Sequence, residues 1–208
     1  MLTKIGDVEV WRILEMNGPF REATRLFPTA GPDVAAVMND LAPGQVDDDG
    51  CVILPVQAFL LKPPHHVVLV DACVGNHKAM PTFEPWNMRD DDRFLAALAA
   101  AGVTPEDVDY VMCTHLHVDH VGWNTRKENG RWVPTFPNAR YLMPGADLPF
   151  VRDLELPLYA ESVLPVIEAG LAEEVGPDHQ LGDEITLIPT PGHTPGHVSV
   201  RIRSGGAE

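Results

Sequence analysis

Along the first seventy residues, apolar positions fall on every second residue or in short unbroken runs. "DVEVWRILE" (7–15) alternates, while "CVILPVQAFLLK" (51–62) and "HVVLVDAC" (66–73) are apolar runs joined by the turn "KPPHH". A period of two places side chains on opposite faces of an extended chain, so this opening is read as β-strands. Between 18 and 50, proline and glycine interrupt the pattern. Apart from a short helix in "PDVAAVMNDL", that stretch is expected to be a loop-rich insert packed over the sheet edge.

From residue 90 the pattern changes. "DDDRFLAALAAAG" carries acids at its start, alanines and leucines inside and Gly102 at the stop, the signature of a helix. In "TPEDVD", Thr104 is a capping residue and Pro105 suits a first helical position. "DYVMCT" returns to strand character. A loop containing "RWVPTFPNA", a strand "RYLMP", a helical region over 145–169 and the strands "EITLIPT" and "HVSVRI" complete the chain. Strands alternating with helices predict an α/β layered fold. No internal repeat, low-complexity tract or linker divides it, so residues 1–208 are expected to form a single domain.

Composition narrows the partners. The 45% hydrophobic content is that of a chain able to bury a core. Thirty acidic against fifteen basic residues leave a net charge of −15, which repels phosphate backbones and anionic lipid surfaces, so neither nucleic acid nor a membrane is expected as partner. No apolar run reaches the roughly 18 residues that span a bilayer, and "MLTKIGDVEV" lacks a signal-peptide core, so a soluble cytoplasmic protein is expected. Cys51, Cys73 and Cys113 form no CxxC pair and are read as reduced, buried thiols.

The candidate chemistry sits in two histidine clusters. "CTHLHVDHVGW" (113–123) holds three of the nine histidines and an aspartate within six positions, just past an apolar strand. Loops at strand ends are where α/β proteins place their sites. In extended chain His115 and His117 point the same way and can aim at one ion, whereas Asp119 and His120 are neighbours and need a turn to serve a second. A buried histidine is often only a hydrogen-bonded core residue, but four ligand-type side chains in one short loop favour metal. Cys113 as a nucleophile is disfavoured, because burial raises a thiol pKa. In "LIPTPGHTPGHVSV", His193 is the first ligand-capable side chain past the turn, and His197, which opens the next strand, is read as structural.

HxHxDH after a buried strand, followed downstream by TPGHTPGH, resembles the metallo-β-lactamase-fold hydrolases, and "HVDHVGWNT" is similar to their lactonase and glyoxalase-like branch. The resemblance spans roughly residues 50–202. It implies an αββα sandwich, with His115, His117 and His193 on a first zinc and Asp119 and His120 on a second. Asp119 would also orient the nucleophile, and Asp71 would support the metal loops from behind.

The family pattern continues past the third histidine with a bridging aspartate and a last histidine. No Asp or His follows His197 in this chain. The expectation is therefore a domain incomplete at its C-terminal end: the N-terminal half and the start of the C-terminal half, one tightly bound zinc, an incomplete second site, and an open sheet edge that invites a homodimer. The implied activity is hydrolysis of small-molecule esters, lactones or thioesters by a metal-bound hydroxide. Two alternatives stay open: an iron-dependent oxidoreductase of the same fold, and an inactive fragment. Trp86, Trp123, Trp132 and Phe136 are read either as walls for an acyl chain or as core.

Overall fold

The computed structural model describes all residues from Met1 to Glu208. Its strands are β1 (Thr3–Ile5), β2 (Val8–Glu22), β3 (Cys51–Lys62), β4 (Val68–Val70), β5 (Tyr110–Met112), β6 (Thr125–Glu128), β7 (Arg131–Pro134), β8 (Arg140–Pro144), β9 (Ala172–Val175), β10 (Gln180–Leu181), β11 (Ile185–Pro189) and β12 (Val198–Ile202). Its helices are α1 (Ala23–Leu26), α2 (Val34–Leu41), α3 (Arg93–Ala100), α4 (Val118–Val121), α5 (Asp147–Asp153) and α6 (Leu164–Glu168). None is long and apolar enough to cross a membrane.

Seven strands form one sheet in the order β1-β2-β3-β4-β5-β8-β9, antiparallel from β1 to β4 and parallel from β4 to β9. The alternation along β3 explains its two faces. Val56, Ala58 and Leu60 enter one core with Phe94 and Leu98 of α3, Val151 of α5 and Val166 of α6. Leu61, together with Val68, Val70, Met112 and Leu142, enters a second core against Leu181, Ile185, Leu187 and Val198 of the three-stranded sheet β10-β11-β12. The short parallel strands β4, β5 and β8 contribute to both cores, which is why they read as unbroken apolar runs rather than as alternation. Helices, large sheet and small sheet thus stack in that order, a mixed α/β sandwich as expected.

Several expectations are corrected. Residues 18–22 are not insert but the end of β2, paired with β3 through Pro19↔Ile53 and Glu22↔Cys51, with irregular register between Leu14 and Met16 and between Pro19 and Glu22. Proline is tolerated there because β1 covers β2 only at Val8–Val10, which leaves the outer edge free. "RWVP" is strand β7, in a hairpin with β6, rather than loop. The short strands β1, β9 and β10 carried too little pattern to be foreseen. The helix at 93–100 begins one residue after Asp92, and Asp91 rather than Asp92 caps it, accepting from Arg93 N at 3.1 Å. Thr104 caps as read, here in a capping box with Asp107, and Gly102 is left-handed at the helix stop; the three cysteines are free as read, but Cys51 is only partly buried while Cys73 and Cys113 are buried.

Candidate metal centre

β4 and β5 lie side by side and in parallel, so the chain leaves both at the same edge of the sheet. Leaving β4, the backbone takes a left-handed conformation at Asp71 (φ 63°) and again at Cys73 (φ 46°). Two such non-glycine residues within three positions cost energy and recur at functional sites. The strained segment is zipped to the histidine loop: Ala72 N donates to His120 O at 2.7 Å, Gly122 N to Cys73 O at 2.7 Å and Trp123 N to Ala72 O at 2.6 Å. Gly122 is needed for this approach, since a Cβ there would lie 1.8 Å from Val74 O. Behind the segment the buried Glu15 carboxylate accepts from Val74 N, Gly75 N and Trp123 Nε1. Burial outweighs these bonds and raises the Glu15 pKa.

His115 and His117 follow β5 not in the regular extended chain expected but in a segment that bends at Thr114, His115 and His117, and the turn needed for Asp119 and His120 is the single turn of α4. Asp71 organises this loop. It accepts from Thr114 N at 2.8 Å, from the Thr114 hydroxyl, and from His120 Nδ1 at 2.8 Å. Since the Thr114 hydroxyl hydrogen is committed to Asp71, its oxygen accepts from His115 Nδ1 at 3.1 Å, and His115 Nε2 is left with a bare lone pair. That nitrogen is buried and has no hydrogen-bond partner.

β11 delivers the other loop. One nitrogen each from His115, His117 and His193 lies within 4.8 Å of the others, and His117 Nδ1 stands 3.0 Å from His193 Nε2. His193 is exposed, whereas His115 is only 3% exposed. Burial, reinforced by the neighbouring imidazoles, pushes His115 down to about 2 and lowers His117, so both present neutral nitrogen. At His120 burial works the same way, but Asp71 and Asp119 overcome it and raise the ring to about 10. Its Nε2 lies 3.4 Å from Asp119 Oδ2, and although burial opposes ionisation there, His120 holds Asp119 in its carboxylate form. All six predicted residues therefore converge: three histidines around one point, and Asp119, His120 and Asp71 in a chain beside it. His197 hydrogen-bonds Thr190 Oγ1 at 2.9 Å, in line with a structural part. Cys113 is fully buried, and burial pushes its thiol up to about 12, which removes it as a nucleophile.

Asp147 is the residue that local reading missed. Completely buried at the start of α5, it accepts from Leu116 N (3.2 Å) in the first histidine loop and from Thr194 Oγ1 (2.8 Å) and Gly196 N (2.6 Å) in the second. One carboxylate thus spaces both loops. Gly196 permits it, because a Cβ there would fall 2.9 Å from Asp147 Oδ1. The signal was available: Asp147 follows β8 much as Asp71 follows β4, a carboxylate after a central parallel strand. Beside the histidines lies a cavity of about 570 Å³ walled by Phe20, Met80, Phe83, Trp86, Leu156 and Leu158. His117, Asp119 and His193 open into it. Of the four aromatic residues flagged in the sequence only Trp86 is a wall; Trp123 and Phe136 are core, and Trp132 covers Lys78.

The donor set suits a divalent cation: three imidazoles, two of them held neutral by burial and one with an unsatisfied buried nitrogen, and a carboxylate alongside. This sandwich with paired histidine loops at the sheet edge defines a class of metal-site proteins, and the profile of the Metallo-beta-lactamase superfamily matches residues 52–207. The chain belongs to that superfamily. It is 30% identical over 182 residues to an N-acyl homoserine lactonase of Bacillus sp, covering 83% of this chain and 66% of that relative. The chain thus spans just under two thirds of that relative's length. Among solved structures it resembles AidC, a dizinc quorum-quenching lactonase (TM-score 0.78, 18% identity, 99% of this chain and 70% of that one). It also resembles a probable metal-dependent hydrolase from Staphylococcus aureus (TM-score 0.77, 20% identity, 97% and 71%).

Proposed function

We propose that this chain is a zinc-dependent hydrolase of small-molecule esters whose preferred substrates are lactones with an apolar acyl chain. The observation that carries the reading is that one cavity has His117, Asp119 and His193 on its wall and aromatic and aliphatic side chains around the rest. His115, His117 and His193 would hold the first zinc, and Asp119 and His120 a second, more weakly held one. Zinc so bound would lower the pKa of a coordinated water and polarise the ester carbonyl.

The chain's own residues supply the rest. Phe20, Phe83 and Trp86 take up the acyl chain and exclude water from the ester. With the second site empty, Asp119, held ionised by His120, accepts at Oδ2 the proton that the attacking water gives up. Asp71 keeps His120 in place through Nδ1, and the Thr114 bridge keeps His115 Nε2 pointed at the cation. Support also comes from the lactonase relatives, whose sequences align over most of this chain.

A direct test is to follow proton release in weakly buffered solution while the zinc-loaded protein opens N-acyl homoserine lactones of increasing chain length. The expected result is turnover that rises with chain length until the cavity is filled. Absence of ring opening for every chain length at full zinc occupancy overturns the proposal.

A further inference from the structure

β2 and β3 run beyond the sheet. Their pairing with β4 ends at Phe59↔Val70, so Asp71 stands level with Ala58, and from there to the tip the two strands pair only with each other. Arg21 lies between Pro19↔Ile53 and Glu22↔Cys51, level with Val52 and six residues past Ala58. At roughly 3.3 Å per residue that is about 20 Å of strand beyond the level of Asp71. Arg21 nevertheless lines the same cavity as His117, Asp119 and His193. It is the one Lys or Arg on the cavity wall, carried by the arm that runs beyond the level of Asp71.

The setting of Arg21 is unusual for this chain. Seven of its arginines, at 89, 93, 126, 140, 152, 201 and 203, form ion pairs with carboxylates, in a protein with twice as many acids as bases. Arg12, Arg21, Arg25 and Arg131 form none, and of these four only Arg21 lines the cavity. Its guanidinium lies 5.4 Å from the Phe20 ring centre and 5.2 Å from that of Phe83. Phe20 in turn stacks on Trp86 at 5.1 Å, so the rings that wall the cavity also orient the cation. Stacking on rings leaves the planar N–H edge free, and that edge matches a carboxylate in a two-pronged hydrogen bond. The other charged group on the cavity wall, Asp119, belongs to the metal centre.

We propose that Arg21 is a specificity-determining residue that selects substrates whose apolar acyl chain ends in a carboxylate, the ester lying at the histidines and the carboxylate at the tip of the β2–β3 arm. This rests on the hydrolase reading above for the ester end and on Arg21 alone for the acid end. The net charge of −15 repels anions generally, so an acid-ended substrate gains from Arg21 only if it is threaded into the cavity.

Two measurements test it. In the first, kcat/KM is compared for N-octanoyl homoserine lactone and its analogue with a terminal carboxylate in place of the methyl group. The acid-ended lactone should be preferred about tenfold, as a charge-assisted hydrogen bond in a partly desolvated site allows. Arg21→Gln should bring the ratio to one or below, and Arg21→Lys should restore part of it. In the second, calorimetry compares binding of suberic acid monoamide and of octanamide, which are not hydrolysed. The monoamide should bind about tenfold tighter to the wild type and without advantage to Arg21→Gln. If the lactones are opened with no preference and the two amides bind alike, the inference falls and the hydrolase reading stands. If neither lactone is opened but the amides differ through Arg21, the hydrolase reading falls and the acid site stands. A carboxylate preference that survives Arg21→Gln would place acid recognition elsewhere and overturn the inference.

Discussion

The two histidine loops reach the same point by different means. The first follows β5, a strand flanked on both sides, and is tied down by Asp71, by the backbone zipper to residues 72–73 and, at one remove, by Glu15. The second joins two antiparallel strands of the small sheet and carries an exposed His193. It is held at its far side, through Asp147 and through Val198 N donating to Thr114 O at 2.9 Å. The contrast teaches that one loop is a rigid half of the candidate site and the other brings a candidate ligand to it. Preorganisation resides in the 113–120 loop, and the bond through Asp147 sets the gap.

The strongest way to break this contrast is to remove a ligand from each side. Loss of one ligand of three forfeits about a third of a zinc-binding energy of roughly 10–16 kcal/mol. His115→Ala should therefore weaken zinc binding on the order of a thousandfold. His193→Ala should cost about tenfold less, since an exposed side chain must be ordered before it ligates. Competition with a chromogenic chelator measures both, and equal losses would refute the rigid half-site.

A smaller effect is expected from the supporting carboxylates. Asp147→Asn places an amide donor against donors from both loops and should reduce zinc affinity by about 10–100-fold. Asp71→Asn tolerates the same left-handed backbone and disturbs only the first loop, so it should cost toward the lower end of that range. If Asp71→Asn proved the more damaging, the gap between the loops would not be what Asp147 controls.

The smallest effect concerns the segment that braces the first loop. Lys78 is buried, with Nζ bonded to Thr125 Oγ1 at 2.6 Å and to Glu161 O at 3.0 Å and lying 3.6 Å from the Trp132 ring centre. Burial lowers its pKa to about 7. A base whose folded pKa lies below its unfolded value binds fewer protons when folded, so the contribution of Lys78 to stability rises with pH above about 7, by at most about 1.4 kcal/mol per pH unit. In the metal-free protein His120, raised to about 10, works the opposite way over the same range, since the folded ring keeps a proton that the unfolded ring loses. The two slopes offset each other between pH 7 and about 8.5, so denaturant midpoints of the metal-free wild type should stay nearly level there, whereas those of Lys78→Met should fall as pH rises.

How much of this was legible in the sequence follows from what each feature depends on. β3 was readable to the residue because an apolar run bounded by turn residues is a local signal. The candidate ligands were readable because only a few residue types bind metal and they fall at strand ends. Asp147, Glu15 and the end of β2 were not, since their meaning comes from partners 31 to 108 residues distant in the chain, or from a strand pairing in which proline is uncommon. Trp132 was ambiguous because a ring reads alike as core, as cavity wall or as a lid on a lysine.

The arm formed by the ends of β2 and β3 has a further consequence. Past Met16 it has its own small apolar cluster, Ala23, Val34 and Val52, separate from both main cores. A unit with so little buried surface can loosen while the sheet stays intact, so its amide hydrogens should exchange with solvent well before those of β5 or β8. Substitutions there are likewise tolerated without cost to the histidine loops. Over generations such an arm is where a lineage can exchange one tail chemistry for another, a tuning head carried by a centre that does not have to change.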